Sequence, residues 1–365
     1  MRKVGVGVIG CGRISGRYLD NLINMFPFLI DVKACADIIP ENAENKARQY
    51  GVPKACSVTE LLSDPEIEFV LNLTNPWAHY EVNMAALEAG KHVYAEKPLA
   101  MTREEAKHMI DYAGSKNLLI GCAPDTFLGA GLQTCRKLID EGWIGRPIAA
   151  NAMIMMDVSS ERYHKAGVGG ALLDMGPYFV TALVFLLGPV RRVMGSAQMP
   201  FAEKTIYNRN SPDYGRRFKV EVATTVSGVL EFDNNVIANF TATCDGFRYW
   251  PRLEIMGTEG VLIANDPNMF SGGVYVQRRG GEMKEMPYTH GYAENSRGLG
   301  LADMIYAVLN NRKHRANDQL AYHVLDVLLG MRDSSESGEY YVTESDCDRP
   351  EPFVEGHAIN PMEII

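Results

Sequence analysis

One short segment with chemically useful side chains is Glu96-Lys97-Pro98, which follows the apolar run 92–95. A lysine that is buried beside a ligand can donate a proton or stabilise a negative charge. A lysine after a strand is more often a solvated strand end, and position alone does not separate the two roles. Pro98 could fix the chain in a cis turn that directs the ammonium group. The segment is therefore a first candidate for catalysis.

A second candidate is the segment 169–178, which contains Asp174 and Tyr178. These two residues are four positions apart, so on a helix they would project from one face. Asp174 could equally be the N-cap of an apolar helix predicted over 176–187. Spacing leaves both interpretations open.

The N-terminal segment predicts a bound dinucleotide. The apolar run 4–9 leads into Gly10, Gly12 and Ser15, spaced as Gly-x-Gly-x-x-Ser, and helical periodicity follows at once. In a dinucleotide-binding βα unit the first glycine permits the turn and the second lets a pyrophosphate approach. The helix N-terminus then supplies free N–H groups.

The acidic residue Asp37 indicates which dinucleotide would bind. It ends the second apolar run, 31–36, where a carboxylate can accept hydrogen bonds from both ribose hydroxyls and repel a 2′-phosphate. Ile38, Ile39 and Pro40 follow, and none of them is basic. The sequence therefore predicts NAD rather than NADP. The alternative is a structural turn in which Asp37 caps the next helix.

Composition excludes several classes of partner. The 365 residues are 46% hydrophobic and 22% charged, as in soluble globular enzymes, and the length allows two domains. A net charge of −9 without a basic block argues against nucleic acid or an anionic membrane as partner. No apolar run is expected to span a membrane.

The cysteines and the N-terminus predict a cytoplasmic location. The seven cysteines are odd in number, scattered and free of any C-x-x-C pair, which is typical of reduced thiols rather than of disulfides or a metal site. The chain opens directly into a strand, so no signal peptide is expected.

The order of predicted elements indicates two domains. Strands alternate with helices over 3–122, which predicts a doubly wound parallel sheet. Beyond this point strands follow strands, which predicts a mostly antiparallel open sheet in an α+β domain. We therefore expect a Rossmann domain over 1–123 and a substrate-binding and oligomerisation domain over 124–365. The segment 202–217 is expected to be a long loop.

Several longer motifs recur in one enzyme family. They are Val8-Ile9-Gly10-Cys11-Gly12, the segments 86–93 and 96–100, Leu138–Gly145 with its Glu-Gly-Trp-Ile-Gly end, Gly170–Gly176 with Asp174, and Met256-Gly257-Thr258-Glu259-Gly260. Together they resemble the glucose–fructose oxidoreductase/inositol dehydrogenase (Gfo/Idh/MocA) family over essentially the whole chain. The resemblance implies a Rossmann domain followed by an open, mostly antiparallel sheet that commonly builds dimers or tetramers.

The resemblance also implies roles for the two candidate segments. Lys97 matches the catalytic lysine of the Glu-Lys-Pro motif, and Asp174 matches its acidic partner. Tyr178 stands where many relatives have histidine, which points to the tyrosine-containing branch rather than to inositol dehydrogenases. A second departure is the segment 123–127, where many relatives carry an Asn/Gln-Arg pair.

The predicted reaction is reversible hydride transfer between nicotinamide and a secondary alcohol of a sugar, cyclitol or derivative. Tyr178 would exchange the hydroxyl proton, Lys97 would stabilise the developing alkoxide, and Asp174 would orient Lys97 and the substrate. An NAD-dependent glycosidase that works by transient oxidation is one alternative, and a nucleotide-sensing regulator is another.

The remaining contacts are expected from strand ends and loops. His79 could contact the cofactor or simply pack against the next strand, and Asn295 could merely cap a helix. The residues predicted to contact the dinucleotide are Gly10, Cys11, Gly12, Arg13, Ile14, Asp37, Ile38, Thr74, Asn75, Pro76, His79, Glu96, Lys97, Pro98 and Asp125. The candidate substrate contacts are Arg162, His164, His290, Tyr292, Asn295 and Arg297, and no metal is expected.

Overall fold

The first half of the chain folds around a six-stranded parallel sheet. The computed structural model describes residues 2–158, 160–165 and 169–356. Strand order is β3-β2-β1-β4-β5-β6, which is the doubly wound order of a Rossmann domain. The strands are β1 (Val4–Ile9), β2 (Ile30–Ala36), β3 (Lys54–Cys56), β4 (Phe69–Asn72), β5 (His92–Ala95) and β6 (Ile120–Cys122).

Helices cover both faces of this sheet. Every residue of β1 is buried, as expected for a central parallel strand. The Thr102 side chain accepts a hydrogen bond from the Glu105 N–H at 3.2 Å and caps the last helix of this half. The helices are α1 (Ser15–Asn24), α2 (Pro40–Tyr50), α3 (Val58–Ser63), α4 (His79–Glu88) and α5 (Arg103–Ser115).

The second half is built on a nine-stranded sheet with order β16-β15-β14-β13-β7-β12-β11-β8-β17. All its pairs are antiparallel except β7 with β12, so the predicted mostly antiparallel sheet is confirmed. The strands are β7 (Pro147–Asp157), β8 (Val190–Gln198), β11 (Thr225–Phe232), β12 (Ile237–Thr243), β13 (Asp245–Gly257), β14 (Gly260–Ile263), β15 (Tyr275–Arg278), β16 (Lys284–Glu285) and β17 (Tyr341–Val342).

The expected loop over 202–217 is not wholly irregular. Strands β9 (Glu203–Thr205) and β10 (Arg217–Lys219) pair there as a small antiparallel sheet. Behind this hairpin Ile206, Phe218 and Val220 form a separate apolar cluster. The polar composition of this segment predicted a loop because the hairpin buries only three apolar side chains.

Four helices complete the second half, and α7 and α9 cover one face of its sheet. The bounds are α6 (Ala130–Asp140), α7 (Gly170–Leu187), α8 (Leu299–Leu309) and α9 (Asp318–Ser337). By length and composition α7 could cross a membrane, which the sequence prediction did not anticipate because Asp174 and Pro177 interrupt the apolar run. However, 94% of α7 is buried inside the protein, as in a core helix.

The start of α7 corrects the predicted helix over 176–187. The helix begins at Gly170, after Gly169 in a left-handed conformation, and Pro177 lies inside it. Asp174 is therefore a residue of the helix body and not an N-cap. Asp174 and Tyr178 consequently share one helical face, which resolves the alternative left open by their spacing.

Candidate active site

The glycine turn after β1 has room for a ligand. Gly10 has φ of +96°, and a Cβ there would lie 2.6 Å from the Leu73 carbonyl carbon, so the chain itself requires this glycine. Gly12 differs, because a Cβ at that position would meet nothing within 4 Å. The N-cap residue of α1, Ile14, makes no side-chain cap hydrogen bond. Open space beside an uncapped helix N-terminus fits the pyrophosphate of a dinucleotide.

The Asp37 carboxylate lies beside this turn at the end of β2. One oxygen accepts a hydrogen bond from the Cys11 N–H at 2.7 Å, and the other accepts one from the Ile39 N–H at 2.8 Å. Ile38 is almost fully exposed. The oxygen that faces Ile39 also accepts a long hydrogen bond from the Asn42 amide at 3.4 Å, whereas the oxygen that faces Cys11 keeps a lone pair for a ribose hydroxyl. Asp37 therefore fits an NAD ribose and also holds the turn.

His79 ties together the loops that follow β4 and β5. The ring is fully buried, and Nδ1 lies 2.7 Å from the Pro98 carbonyl oxygen while Nε2 lies 3.2 Å from that of Thr74. Burial lowers the pKa of this histidine, which favours the neutral ring with a single N–H donor. Asn75 is exposed and Pro76 half-buried beside it. The contacts of His79 are those of a packing residue that supports the strand ends.

Glu96 joins the glycine-loop helix to the Glu-Lys-Pro segment. The Tyr18 hydroxyl, on α1, donates to one carboxylate oxygen at 2.7 Å. The Lys97 N–H donates to the other oxygen at 3.1 Å. The next peptide bond, Lys97–Pro98, is cis, as the sequence suggested. Glu96 therefore positions the backbone from which the Lys97 side chain extends.

Lys97 and Asp174 form an ion pair between the two halves of the molecule. The ammonium donates to the Asp174 carboxylate at 2.8 Å and to its backbone carbonyl at 2.6 Å. The side chains are only 12% and 20% exposed. Burial lowers the pKa of Lys97, but the Asp174 carboxylate, with Tyr178 and Glu96, outweighs that effect and raises it above the ordinary value. Lys97 is therefore charged and held as a fixed hydrogen-bond donor.

Tyr178 lies next to this pair. The Lys97 ammonium is 5.4 Å from the centroid of the Tyr178 ring, and the residue is only 8% exposed. Burial raises the pKa of the phenol, whereas Lys97 and Arg297 act to lower it. Burial is the larger effect, so the pKa of Tyr178 lies above its ordinary value.

Arg297 reaches the same place from the segment before α8. Its positive charge acts to lower the pKa of Tyr178. The guanidinium donates to the Asn295 side-chain oxygen at 2.8 Å and to that of Asn268 at 2.7 Å. Of the candidate substrate contacts, Arg297 is the one whose charge acts on the Tyr178 pKa.

Asp125 has structural partners. Its carboxylate is buried and accepts hydrogen bonds from the Gly298 N–H at 2.8 Å and the Gly300 N–H at 3.0 Å. It thereby satisfies the N-terminus of α8. The predicted cofactor contact of this residue stays a prediction.

His290 and Tyr292 are held in packing contacts. His290 lies 2.9 Å from the Thr289 hydroxyl and 3.1 Å from the Phe353 carbonyl oxygen. Tyr292 is buried between Phe26 and Phe353. These contacts position the segment before α8, and they give neither residue a partner among Lys97, Asp174 and Tyr178.

Arg162 and His164 belong to a separate part of the second half. Arg162 lines an open pocket of about 460 Å³, formed by residues 157, 158 and 160–162 and by side chains between 206 and 216, and its guanidinium stacks on the Tyr163 ring. His164 is fully buried, with Nδ1 3.0 Å from the Ser160 carbonyl oxygen. Their predicted substrate contacts remain predictions.

Comparison with known proteins assigns the family. Residues 4–123 match the model of an oxidoreductase family with an NAD-binding Rossmann fold, and residues 132–263 match the GFO/IDH/MocA C-terminal domain. A 1,5-anhydro-D-fructose reductase from Ensifer adhaerens is 32% identical over 71% of this chain and 75% of its own length. The chain belongs to the GFO/IDH/MocA oxidoreductase family. Its cofactor is NAD.

Other members of the family are similar over comparable lengths. A levoglucosan dehydrogenase from Pseudarthrobacter phenanthrenivorans is 29% identical and covers 73% of this chain and 74% of the relative. An inositol 2-dehydrogenase/D-chiro-inositol 3-dehydrogenase from Lactiplantibacillus plantarum is 32% identical over 70% of each chain. The solved complex of levoglucosan dehydrogenase with NADH and levoglucosan superposes with a TM-score of 0.82 at 24% identity, over 94% of this chain and 100% of that one.

Sequence reasoning missed two polar pairs near Lys97, Asp174 and Tyr178, which together form the candidate catalytic cluster. The Tyr249 hydroxyl donates to the Asp266 carboxylate at 2.6 Å, near Asn268. Lys204 donates to the Asp245 carboxylate at 3.0 Å, next to Cys244. Neither pair forms a motif in sequence, because hairpin and strand contacts bring its members together. The exposed aromatic residues Phe247 and Tyr249 alternate along β13, and this alternation is a signal that was available in the sequence.

Proposed function

We propose that this oxidoreductase transfers a hydride between NAD(H) and a secondary alcohol of a sugar, cyclitol or derivative. One observation carries the proposal. Lys97, at the carboxyl end of β5, meets Asp174 and Tyr178 of α7, where ligands of doubly wound sheets bind. Oxidation of an alcohol, or reduction of its carbonyl product, needs a group that exchanges the hydroxyl proton and a cation that stabilises the negative charge on oxygen. A buried acid–base group beside a fixed cation provides both.

The residues of the first half fit NAD. The turn at Gly10 and Gly12 and the N-terminus of α1 would hold the pyrophosphate, and Asp37 would accept the ribose hydroxyls. Bound nicotinamide supplies the hydride acceptor or donor. No basic side chain follows Asp37 in the segment 38–40, which favours NAD over NADP.

Lys97 and Tyr178 would act on the substrate oxygen. The Lys97 ammonium would donate a hydrogen bond to that oxygen and stabilise the negative charge that develops on it. Tyr178 would give the proton during reduction and take it during oxidation. The raised pKa of the free phenol favours the protonated form, which is ready to donate. Asp174 would keep Lys97 charged and would orient its ammonium group toward the substrate oxygen.

The sugar or cyclitol class rests on the relatives. The named enzymes act on levoglucosan, 1,5-anhydro-D-fructose and inositols, all of which are cyclic polyols or their ketones. The polar side chains that surround the catalytic cluster, among them Arg297, Asn268 and Tyr249, fit a substrate with several hydroxyl groups.

Substituting the two catalytic candidates tests the proposal. Tyr178→Phe removes the proton-exchanging hydroxyl and should lower kcat by about 10²–10⁴, since that is the usual contribution of a positioned acid–base group. Lys97→Met should reduce kcat at least as strongly. The affinity for the cofactor, measured by NADH fluorescence or by calorimetry, should stay within a few-fold for Tyr178→Phe. Near-normal turnover by Tyr178→Phe would remove Tyr178 from the mechanism.

We further propose a division at residue 123, with an NAD-binding domain over 1–123 and a substrate domain over 124–365. The face of the nine-stranded sheet that α7 and α9 leave uncovered would form a homodimer or homotetramer. Ile237 and Asn239 of β12 are exposed on that face. The seven cysteines are all free, which supports a cytoplasmic location.

A further inference from the structure

Two aromatic side chains near the start of β13 are exposed. Phe247 is 96% exposed and Tyr249 is 48% exposed, and Phe247 is the most exposed of the large apolar side chains in the described part of the chain. Almost nothing in the protein packs on the Phe247 ring, so the ring contributes little to the stability of the fold. Neighbouring exposed apolar side chains are instead typical of a surface that binds a ligand or a partner.

The two rings lie in a bulge of β13. Asp245 lies opposite Asp157 of β7, and Trp250 lies opposite Met155. Four residues of β13 therefore stand against a single residue of β7. Such bulges bend a strand and redirect its side chains, and they are common beside active sites. The bulge, residues 246–249, removes both rings from the regular strand pairing.

The neighbouring side chains show which side of the sheet the rings face. Leu253 is fully buried, so it points into the core on the side that the helices cover. Arg248 and Trp250 stack on each other, with the guanidinium carbon 4.0 Å from the ring centroid. Because side chains alternate along a strand, Phe247 and Tyr249 belong to the side of Leu253, and the stacked pair belongs to the other side.

The first end of the bulge lies beside the start of α7. The Thr224 hydroxyl donates to the Asp245 carboxylate at 2.6 Å. The preceding residue, Ala223, packs on Gly170, where a Cβ would lie 2.6 Å from the Ala223 carbonyl oxygen. Gly170 is the first residue of α7, and Asp174 follows one turn later. The bulge therefore begins close to the helix that carries two members of the catalytic cluster.

The second end of the bulge is tied to the ligand-binding edge of the Rossmann sheet. The Tyr249 hydroxyl donates to the Asp266 carboxylate at 2.6 Å. The next residue, Pro267, accepts a hydrogen bond from the Thr126 hydroxyl at 2.7 Å through its carbonyl oxygen. Thr126 follows β6 at the carboxyl edge of the parallel sheet, where ligands of doubly wound sheets bind. The bulge thus spans from α7 to this edge.

We propose that Phe247 and Tyr249 form an aromatic platform at the rim of the active site, which stacks on the second ring of a glycoside or disaccharide substrate. This inference rests on the proposed function. The reacting ring must reach Lys97 and Tyr178, which are only 12% and 8% exposed. Phe247 is almost fully exposed, so it is placed for the ring that remains outside. The C–H face of a pyranose ring is apolar, and covering an aromatic face with it removes apolar surface from water.

Kinetics with matched one-ring and two-ring substrates test the platform. The pairs are glucose with cellobiose, levoglucosan with cellobiosan, and myo-inositol with galactinol, each with NAD. The wild type should oxidise the two-ring member of at least one pair. Phe247→Ala should raise KM for that member by about tenfold and leave kcat unchanged, because the ring touches no reacting atom. For the one-ring member kcat/KM should stay within about twofold.

Three further variants are controls. Phe28→Ala removes an exposed phenylalanine that lies between α1 and β2, and it should change neither member of the pair. Phe247→Trp keeps a flat ring and should retain the low KM for the two-ring substrate, whereas Phe247→Leu should lose most of it. Because the Phe247 ring is so exposed, Phe247→Ala should unfold at the same urea concentration as the wild type. If it fails to fold, Phe247→Leu provides the same comparison.

Three results overturn the proposal. The first is a wild type that oxidises one-ring polyols and none of the three two-ring substrates. The second is an equal loss for both members of a pair in Phe247→Ala, because that result assigns the ring to the reacting site. The third is a changed oligomeric state of Phe247→Ala in light scattering, which assigns the ring to a subunit contact.

Saturation-transfer NMR separates this inference from the proposed function. The three two-ring sugars are added in turn to the full-length protein loaded with NADH, so no turnover is needed. Saturation that reaches the distal ring in the wild type and is lost in Phe247→Ala supports the platform even if no polyol is oxidised. Oxidation of one-ring polyols without any distal-ring contact keeps the function and rejects the inference.

Discussion

At the scale of single residues, the cluster joins side chains that are far apart in sequence. Lys97 and Asp174 come from different halves of the chain and meet at 2.8 Å, while Arg297 arrives from a third segment. Each residue was identifiable by type, and the Glu-Lys-Pro motif was informative. The difference between Arg297 and its neighbours His290 and Tyr292 could not be predicted, because it depends on which side chains the folded protein holds in packing contacts.

The Asp37 carboxylate should control the choice between NAD and NADP. Asp37→Asn removes the charge that repels a 2′-phosphate while keeping an acceptor oxygen for one of the two backbone N–H groups, those of Cys11 and Ile39, that bond to the carboxylate. The ratio of kcat/KM for NADP to that for NAD should rise about tenfold or more, which corresponds to roughly 1.4 kcal/mol.

A matched control for this measurement is Asp31→Asn, on the same strand and paired with Lys33 at its surface. That variant should leave the cofactor ratio unchanged. An Asp37→Asn ratio equal to that of the wild type would show that the carboxylate serves only the turn.

At the scale of elements, two variants of the glycine turn should show separately which glycine is needed for folding and which for cofactor binding. Gly10→Ala forces a Cβ to within 2.6 Å of the Leu73 backbone at positive φ, so it should destabilise the fold by several kcal/mol. Gly12→Ala places its methyl group in open space, so it should leave the free energy of unfolding nearly unchanged. The same methyl group should weaken NAD binding, because it occupies the space beside the pyrophosphate.

Urea unfolding and NAD titration of both variants provide the measurements. An unfolding midpoint for Gly12→Ala that falls as far as that of Gly10→Ala would mean that Gly12 serves the fold. Unaltered NAD affinity in a stable Gly12→Ala variant would mean that the cofactor does not approach this turn.

Helix α7 shows where sequence patterns stop being sufficient. Gly176-Pro177 is typical of a helix start, since proline lacks the N–H that a helix interior needs. The helix nevertheless extends back to Gly170, because burial of almost every residue of α7 compensates for the missing hydrogen bond. Alternation of strands and helices was enough to predict the Rossmann sheet, since that pattern is local. The position of Asp174 in the body of α7 depends on tertiary packing, so the sequence pattern was not enough to predict it.

At the scale of the whole molecule, two buried carboxylates give opposite dependences of stability on pH. Arg315 and Arg312 outweigh burial and keep the pKa of Asp303 below its ordinary value. Its stabilisation is therefore complete above about pH 4 and is lost as pH falls through the folded-state pKa. Burial instead raises the pKa of Asp125 to about 6. Between about pH 4 and 6 the folded state holds this proton more tightly, so stability falls as pH rises through that window.

The Asp125→Asn variant isolates the contribution of Asp125 to the pH dependence of stability. The amide oxygen can still accept the Gly298 and Gly300 N–H groups, but the side chain no longer titrates. Relative to wild type, the variant should gain stability as pH rises from 4 to 7, by at most about 3 kcal/mol. Urea unfolding at the two pH values measures the difference, and the Asp303 effect cancels because both proteins share it. An equal difference at both pH values would contradict a raised pKa for Asp125.

The central claim is hydride transfer from a cyclic polyol to NAD, and NADH formation tests it most directly. The purified enzyme is incubated with NAD and a panel of sugars, anhydrosugars, cyclitols and glycosides, and the products are identified by chromatography and mass spectrometry. The account predicts stoichiometric NADH and a ketone two hydrogens lighter than at least one polyol, with neither formed by Tyr178→Phe at a comparable rate. Release of free sugar from a glycoside without net NADH would contradict it and indicate a glycosidase instead.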